Sequence, residues 1–208
     1  MNVATVEATK LPPPRFMNEN EFEAWRDEDI KAEYLDGEVI EMAPASYYHS
    51  RSGAWLGSLL EFFVNKHQLG TITSDGNLTV RLREGLHRCP DVMFIAKSRE
   101  SLIHETYLDG APDLAIEFVS PESVVRDWHE KYLEYEAAGV REYWIVDQLQ
   151  KRVTAFVLGD DRRFHPLKPS EGKLHSQTLP GFWIKLDWFW QGPEFDTYQM
   201  AKEIGIIS

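Results

Sequence analysis

The sequence predicts an α/β (α+β) chain in which a mixed β-sheet is flanked by helices. Three observations predict it. Apolar residues recur at helical spacing across 48–66 and again ahead of Gly139. Short runs at 92–96, 114–119 and 143–146 are apolar on both faces, as central strands are. The order helix, hairpin, helix, strands, helix, strand places both element types in one chain. The length of 208 residues suits one domain, read here as 15–208. A hydrophobic share of 43% with 12% aromatics excludes a disordered chain.

Residues 1–14 read as a flexible tail, extended at Pro12-Pro13-Pro14. Asn18 caps a short helix from Glu19 to Asp27, with Phe22 and Trp25 at i, i+3. In AEYLDGEVIEM the Asp36-Gly37 pair between alternating runs signals a hairpin. A second helix spans Tyr48 to Lys66, with Trp55, Leu59, Phe62 and Phe63 on its apolar stripe and Gly70 beyond its end. TITSDGNLTVRL and HRCPDVMFIAK read as strands, and Leu78, Val80 and Leu82 alternate. Leu114–Val119 is an apolar strand broken only by Glu117. A helix from Val125 to Ala138, ending at Gly139, and strands at Tyr143–Val146 and Val153–Leu158 follow. FHPL and FWIKLDWFW add edge strands and packing. The apolar stretch Phe182 to Trp190 either completes the core or forms a homodimer seam.

Several function classes are excluded or disfavoured. No run reaches the ~20 apolar residues of a membrane span, and the N-terminus lacks a signal-peptide core, so a soluble cytoplasmic protein is expected. The single cysteine, Cys89, permits no internal disulfide. There is no zinc, P-loop or serine-hydrolase motif. The net charge of −12 argues against a generic nucleic-acid binder, because phosphate contacts dominate such affinity. It does not argue against a carboxylate site for a metal, which is itself acidic.

Two carboxylates stand out. Glu117 sits among Leu114, Ile116, Phe118 and Val119, where an unpaired charge would be costly. Asp91 opens the apolar run 92–96. If the two strands pair, their carboxylates lie about 5 Å apart on one face, which suits a hard cation such as Mg²⁺. Asp113 precedes Glu117 by four residues, roughly 13 Å at strand rise, and cannot share an ion with it.

These residues fall in a recognisable series. CPD at 89–91, EFVSPES at 117–123, Lys131, GVREYWIVD at 139–147, EYLDGEVIEMAP at 33–44 and His49 resemble the Uma2 (DUF820) endonuclease family. That family belongs to the PD-(D/E)XK, or restriction-endonuclease-like, superfamily. The likeness runs from about residue 18 to 190. It implies a core of Tyr48–Lys66, Leu78–Leu82, Pro90–Ile95, Leu114–Val119, Val125–Ala138 and Tyr143–Val146. It makes Asp91 the motif aspartate and Glu117 the motif glutamate, both ligands of Mg²⁺ or Mn²⁺, with Glu38 a further ligand. The parent pattern places a lysine two residues after the glutamate. Here that residue is Val119, and the resemblance assigns the ammonium group to Lys131 on the next helix, oriented by Asp127. Glu33 and His49 are auxiliary candidates. The implied activity is hydrolysis of DNA phosphodiester bonds by a metal-activated water.

Plainer readings stand beside each assignment. Asp91 can be a turn former after proline, Glu117 a structural ion pair, and Lys131 a solvated helix lysine. Glu38 can face solvent from its hairpin, and His49 can serve only the start of its helix. At the level of the molecule, the rivals are an inactive nuclease-fold scaffold and a phosphodiesterase acting on RNA or another nucleotide.

Overall fold

The computed structural model describes residues 16–26, 30–42, 46–74, 78–120, 126–191 and 196–207. Asn18 caps α1 (Glu19–Trp25) through a reciprocal box: its side chain accepts from the Glu21 amide, and the Glu21 carboxylate accepts from the Asn18 amide. The hairpin of β1 (Ala32–Leu35) and β2 (Glu38–Glu41) turns at Asp36 and Gly37, whose φ values of 46° and 104° fit the twist that such tight turns need. Ser46 caps α2 (Tyr47–His67) by accepting from the His49 amide, and Gln68 ends the helix in the left-handed conformation. Then come β3 (Gly70–Ser74), β4 (Thr79–Arg83), β5 (Leu86–Arg88), β6 (Val92–Ala96), β7 (Tyr107–Asp109) and β8 (Leu114–Val119). A π-helical turn, Arg126–Glu130, leads into α3 (Lys131–Ala138), which ends on Gly139 at φ 88°. β9 (Glu142–Asp147), β10 (Arg152–Leu158), β11 (Phe164–Leu167), β12 (Lys173–His175), β13 (Trp183–Lys185) and α4 (Thr197–Ile204) complete the order.

The main sheet runs β11-β10-β9-β8-β6-β3, with β8 and β9 parallel and the other pairs antiparallel. A second sheet runs β2-β1-β5-β4-β7, and β12 pairs with β13. Strand alternation divides the main sheet's residues between two cores. Val92, Phe94, Leu114, Ile116, Phe118, Trp144 and Val146 cluster with the Trp55, Leu56, Leu59 and Leu60 face of α2. Met93, Ile95, Ala115, Val119, Tyr143 and Ile145 cluster with Tyr135 of α3 and Val80 of the second sheet. Each fully buried Leu or Phe of these clusters contributes about 1.5–3 kcal/mol.

The α/β class and the mixed sheet flanked by helices are as expected, but several elements differ. TITSDGNLTVRL yields two strands in different sheets: β3 pairs with β6, whereas β4 joins β5 and β7. The first strand of the nuclease-type core is therefore β3, not Leu78–Leu82. HRCPDVMFIAK likewise divides into β5 and β6 at Cys89-Pro90, where proline supplies no N–H to a ladder. On α2, Phe62 is 51% exposed, and Leu56, Leu60 and Val64 fill the core in its place. Phe182, Ile184, Trp188 and Phe189 are buried in this chain's own core, joined by Met200 of α4, a helix the sequence did not announce. The expected tail 1–14, Asp27, residues 43–44, residues 75–77 and residues 121–125, including Val125, lie outside the described residues. No helix among the described residues is long and apolar enough to cross a membrane.

Candidate active site

The candidate residues gather where the C-terminal end of β8, the start of β6, the first turn of α2 and the start of α3 meet. Strand register does much of this. Val92 pairs with Ile116, so one further step sets Asp91 level with Glu117. The Phe118 amide donates to Asp91 Oδ2 at 2.8 Å, tying the aspartate to the edge of β8. His49 Nε2 lies 3.0 Å from Asp91 Oδ1 and its ring packs edge-on to Phe118. Burial works against protonation of His49, but the Asp91 carboxylate outweighs it and raises the imidazole pKa.

Glu117 is buried on the α3 side of the sheet. Its Oε1 accepts from the Tyr135 hydroxyl at 2.7 Å and lies 2.9 Å from Lys131 Nζ. Burial, with the charges of Asp91 and Asp127 nearby, pushes its carboxyl up to about 8 against the pull of Lys131. Lys131 is 1% exposed. Besides Glu117, its ammonium meets Glu33 Oε1 at 3.2 Å and Asp127 Oδ1 at 3.5 Å. Burial opposes the charge, and the surrounding carboxylates still hold its pKa well above the ordinary lysine value.

Helix geometry explains how α3 delivers these groups. Asp127, Lys131, Glu134 and Tyr135 follow i, i+4, i+7, i+8 and so share a face. Asp127 lies on the π-helical turn, a distortion frequent at functional sites, and its carbonyl accepts from the Tyr143 hydroxyl. Val119, by contrast, packs in the apolar cluster on that side of the sheet.

Glu33 is wholly buried and joins two cations. Its Oε2 accepts from Arg88 at 2.8 Å while Oε1 faces Lys131 and the Cys89 amide. Burial alone would raise its pKa, but Lys131, Arg88 and Arg126 bring it down to about 2. Arg88 also forms a bidentate pair with Glu134, both distances 2.7 Å. Burial and the Glu33 charge push the Cys89 thiol up to about 12, and it donates to the Ala32 carbonyl, a packing role and not a nucleophile's.

The structure thus brings Asp91, Glu117, Lys131, Glu33 and His49 into one connected set. Glu38 lies beside the hairpin turn, opposite Leu35 and two residues along the strand from the pair Glu33–Ile40, and so on the face of the hairpin that carries Glu33. Among the described residues no three carboxylate, imidazole or thiolate groups converge on one metal position. Two hard oxygen donors remain, Asp91 and Glu117, and the carboxyl of Glu117 is raised chiefly by burial, with Asp91 and Asp127 adding to it. The pair fits Mg²⁺ or Mn²⁺ held by two carboxylates, with water completing the shell.

Sequence reasoning missed Arg88, Glu134 and the Tyr135 hydroxyl. The helical spacing from Asp127 could have found the last two. Nothing local marks Arg88, which is buried because three strands and a helix close over it. Asp113 is separate, as its distance from Glu117 required. It accepts from the Ala96 amide and pairs with Arg99 and Arg141.

The fold and sequence have known counterparts. A protein of Anabaena variabilis, whose solved structure is described as "a putative nuclease belonging to DUF820", superposes with a TM-score of 0.67 at 16% identity. The overlap covers 84% of this chain and 97% of that one, and it shows a shared fold. The uncharacterized protein sll1609 of Synechocystis sp. is 29% identical over 135 residues, which is 64% of this chain and 76% of the relative. The model of the Uma2 family, described as "Putative restriction endonuclease", matches residues 19–187. That match spans most of the sequence, and the chain belongs to the Uma2 family.

Proposed function

We propose that the protein is a metal-dependent endonuclease that hydrolyses phosphodiester bonds of DNA. The observation that carries this reading is the placement of Lys131. A buried ammonium group lies 2.9 Å from Glu117 although the strand position two residues on is Val119. That placement supports a reading in which the third member of a nuclease triad comes from a helix.

Asp91 and Glu117 would hold Mg²⁺ or Mn²⁺, which when bound supplies an activated water and shields phosphate charge. The chain's own groups have separate tasks. Lys131 offers a fixed positive charge where a pentacoordinate phosphate gathers negative charge, and in a water-poor pocket such a charge acts strongly. Glu33 and Asp127 keep the ammonium protonated and in place. Tyr135 fixes one oxygen of Glu117. His49 holds Asp91 in place through Nε2.

The test is cleavage of DNA, with RNA in parallel, in Mg²⁺ or Mn²⁺ by the wild type, Asp91→Ala and Glu117→Gln. The expected result is DNA cleavage that falls at least a hundredfold in either variant, in keeping with the loss of a transition-state contact. Undiminished cleavage by Asp91→Ala overturns the reading, and RNA cleavage alone reassigns the substrate. A nuclease-fold binding module is the second reading, favoured by the net charge of −12 and by the three carboxylates already around Lys131. Calorimetric titration separates the two: no Mn²⁺ uptake dependent on Asp91 and Glu117 favours the module.

A further inference from the structure

We infer that the first turn of α2 is a stacking platform for an unpaired nucleotide, so that the protein engages single-stranded or locally opened nucleic acid next to the candidate site. The inference deepens the nuclease reading and rests on its premise that the ligand is a nucleic acid.

Tyr47 and Tyr48 are the observation that prompts it. They are 64% and 59% exposed, in a chain that buries most of its aromatic rings. Their centroids are 5.6 Å apart at an interplanar angle of 71°, one ring edge-on to the other, which leaves ring surface open to solvent. The next residue is His49, whose imidazole is bound to Asp91. The exposed pair therefore lies on the same turn of α2 as a residue of the candidate site.

Two exposed aromatic rings alone would fit many partners. The charge around them narrows the choice. Lys31 is near enough to His49 for its charge to oppose protonation there. Arg51 stands one helical turn after Tyr47 on the same face of α2. The N-terminal end of a 21-residue helix adds its positive dipole end. Flat apolar surface beside positive charge, in a molecule of net charge −12, suits a ligand with an aromatic ring and an anionic group in one unit. A nucleotide has both.

Strandedness follows from stacking itself. In a duplex both faces of each base are covered by neighbours, so a tyrosine ring finds no face to cover. An unpaired base offers its face at a smaller unstacking cost than a paired one, and base–aromatic stacking is tolerant of sequence.

The experiment is binding of short fluorescent oligonucleotides to the full chain in EDTA, where no metal chemistry takes part. Single-stranded DNA, single-stranded RNA and duplex DNA are compared, with 2-aminopurine reporting stacking. The wild type should prefer single strands and quench 2-aminopurine. The Tyr47→Ala/Tyr48→Ala variant should lose roughly 5- to 100-fold in single-strand affinity, in line with the worth of one stacked base. The Tyr47→Phe/Tyr48→Phe variant should keep it. A preference for duplex, equal affinity of the alanine variant, or a dimer of the wild type that the alanine variant loses would each overturn the inference. The relative affinities of the DNA and RNA arms identify the sugar. Because binding is read without metal, stacking can succeed while the cleavage test fails, or the reverse.

Discussion

Buried carboxylates are common in this chain, and burial alone does not mark the functional ones. Asp113 and Glu142 are both fully buried. Asp113 is met by a backbone amide and two arginines, and Glu142 accepts from Trp144, Ser176 and the amides of Gln177 and Thr178. Such groups are paired structural anchors. Glu117 differs because burial, with Asp91 and Asp127 nearby, raises its pKa to about 8 despite Lys131. Lys131 is kept between Glu117 and Glu33, and Glu33 in turn is held by Arg88. Arg88→Ala would leave Glu33 and Glu134 without their main partner in a buried place. It should destabilise the protein by about 3–5 kcal/mol, the usual cost of breaking a buried pair from one side. Urea denaturation measures this, and a loss below 1 kcal/mol would show that Arg126 and water replace Arg88.

At the scale of elements, the site depends on how closely α2 approaches the sheet. Gly57 makes that approach possible: a Cβ there would come within 2.9 Å of the Ser74 Cβ on β3. Ser74 pairs with Val92, the neighbour of Asp91. Gly57→Ala gains about 1 kcal/mol in helix propensity. It incurs an overpacking cost of about 1–3 kcal/mol against a side-chain root that cannot swing aside. The expected result is a lower Tm and a weakened His49–Asp91 contact, seen as a drop in the His49 imidazole pKa by NMR. An unchanged Tm and imidazole pKa would mean that the helix and strand can separate without consequence.

For the molecule as a whole, two charge networks contribute to acid stability. Glu33 is brought to about 2 against its burial by Lys131, Arg88 and Arg126. Glu19 reaches about 2 against burial through Arg81, His87 and the Gly85 amide. The ordinary glutamate value is 4.5 for both. A depressed folded-state pKa means that the unfolded chain binds protons first as pH falls. The stabilisation from both groups is therefore complete above about pH 4.5 and is lost as pH falls towards about 2. Chemical denaturation across that window should show a steep decline. Glu33→Gln, though less stable at neutral pH, should show a shallower one; an equal slope would remove Glu33 from the account.

Much of this was legible in the chain. Periodicity gave α2 and the length of β8, Asp36-Gly37 gave the hairpin, and an isolated charge in an apolar strand gave Glu117. These signals are local, because they depend on spacing within one element. Ring exposure was not legible: Phe62 fits the helical stripe and faces solvent, while Phe182 to Trp190 looked like a possible seam and lies inside. Sheet membership was not legible either, since β3 and β4 read as one run and part into different sheets. Spacing within the chain sufficed for the main helices, the central strands and the carboxylates that do not belong in a core. The fold alone brings Glu33 and Arg88 together beside Lys131. Those contacts join residues dozens of positions apart, and no spacing rule within one element reaches across that distance.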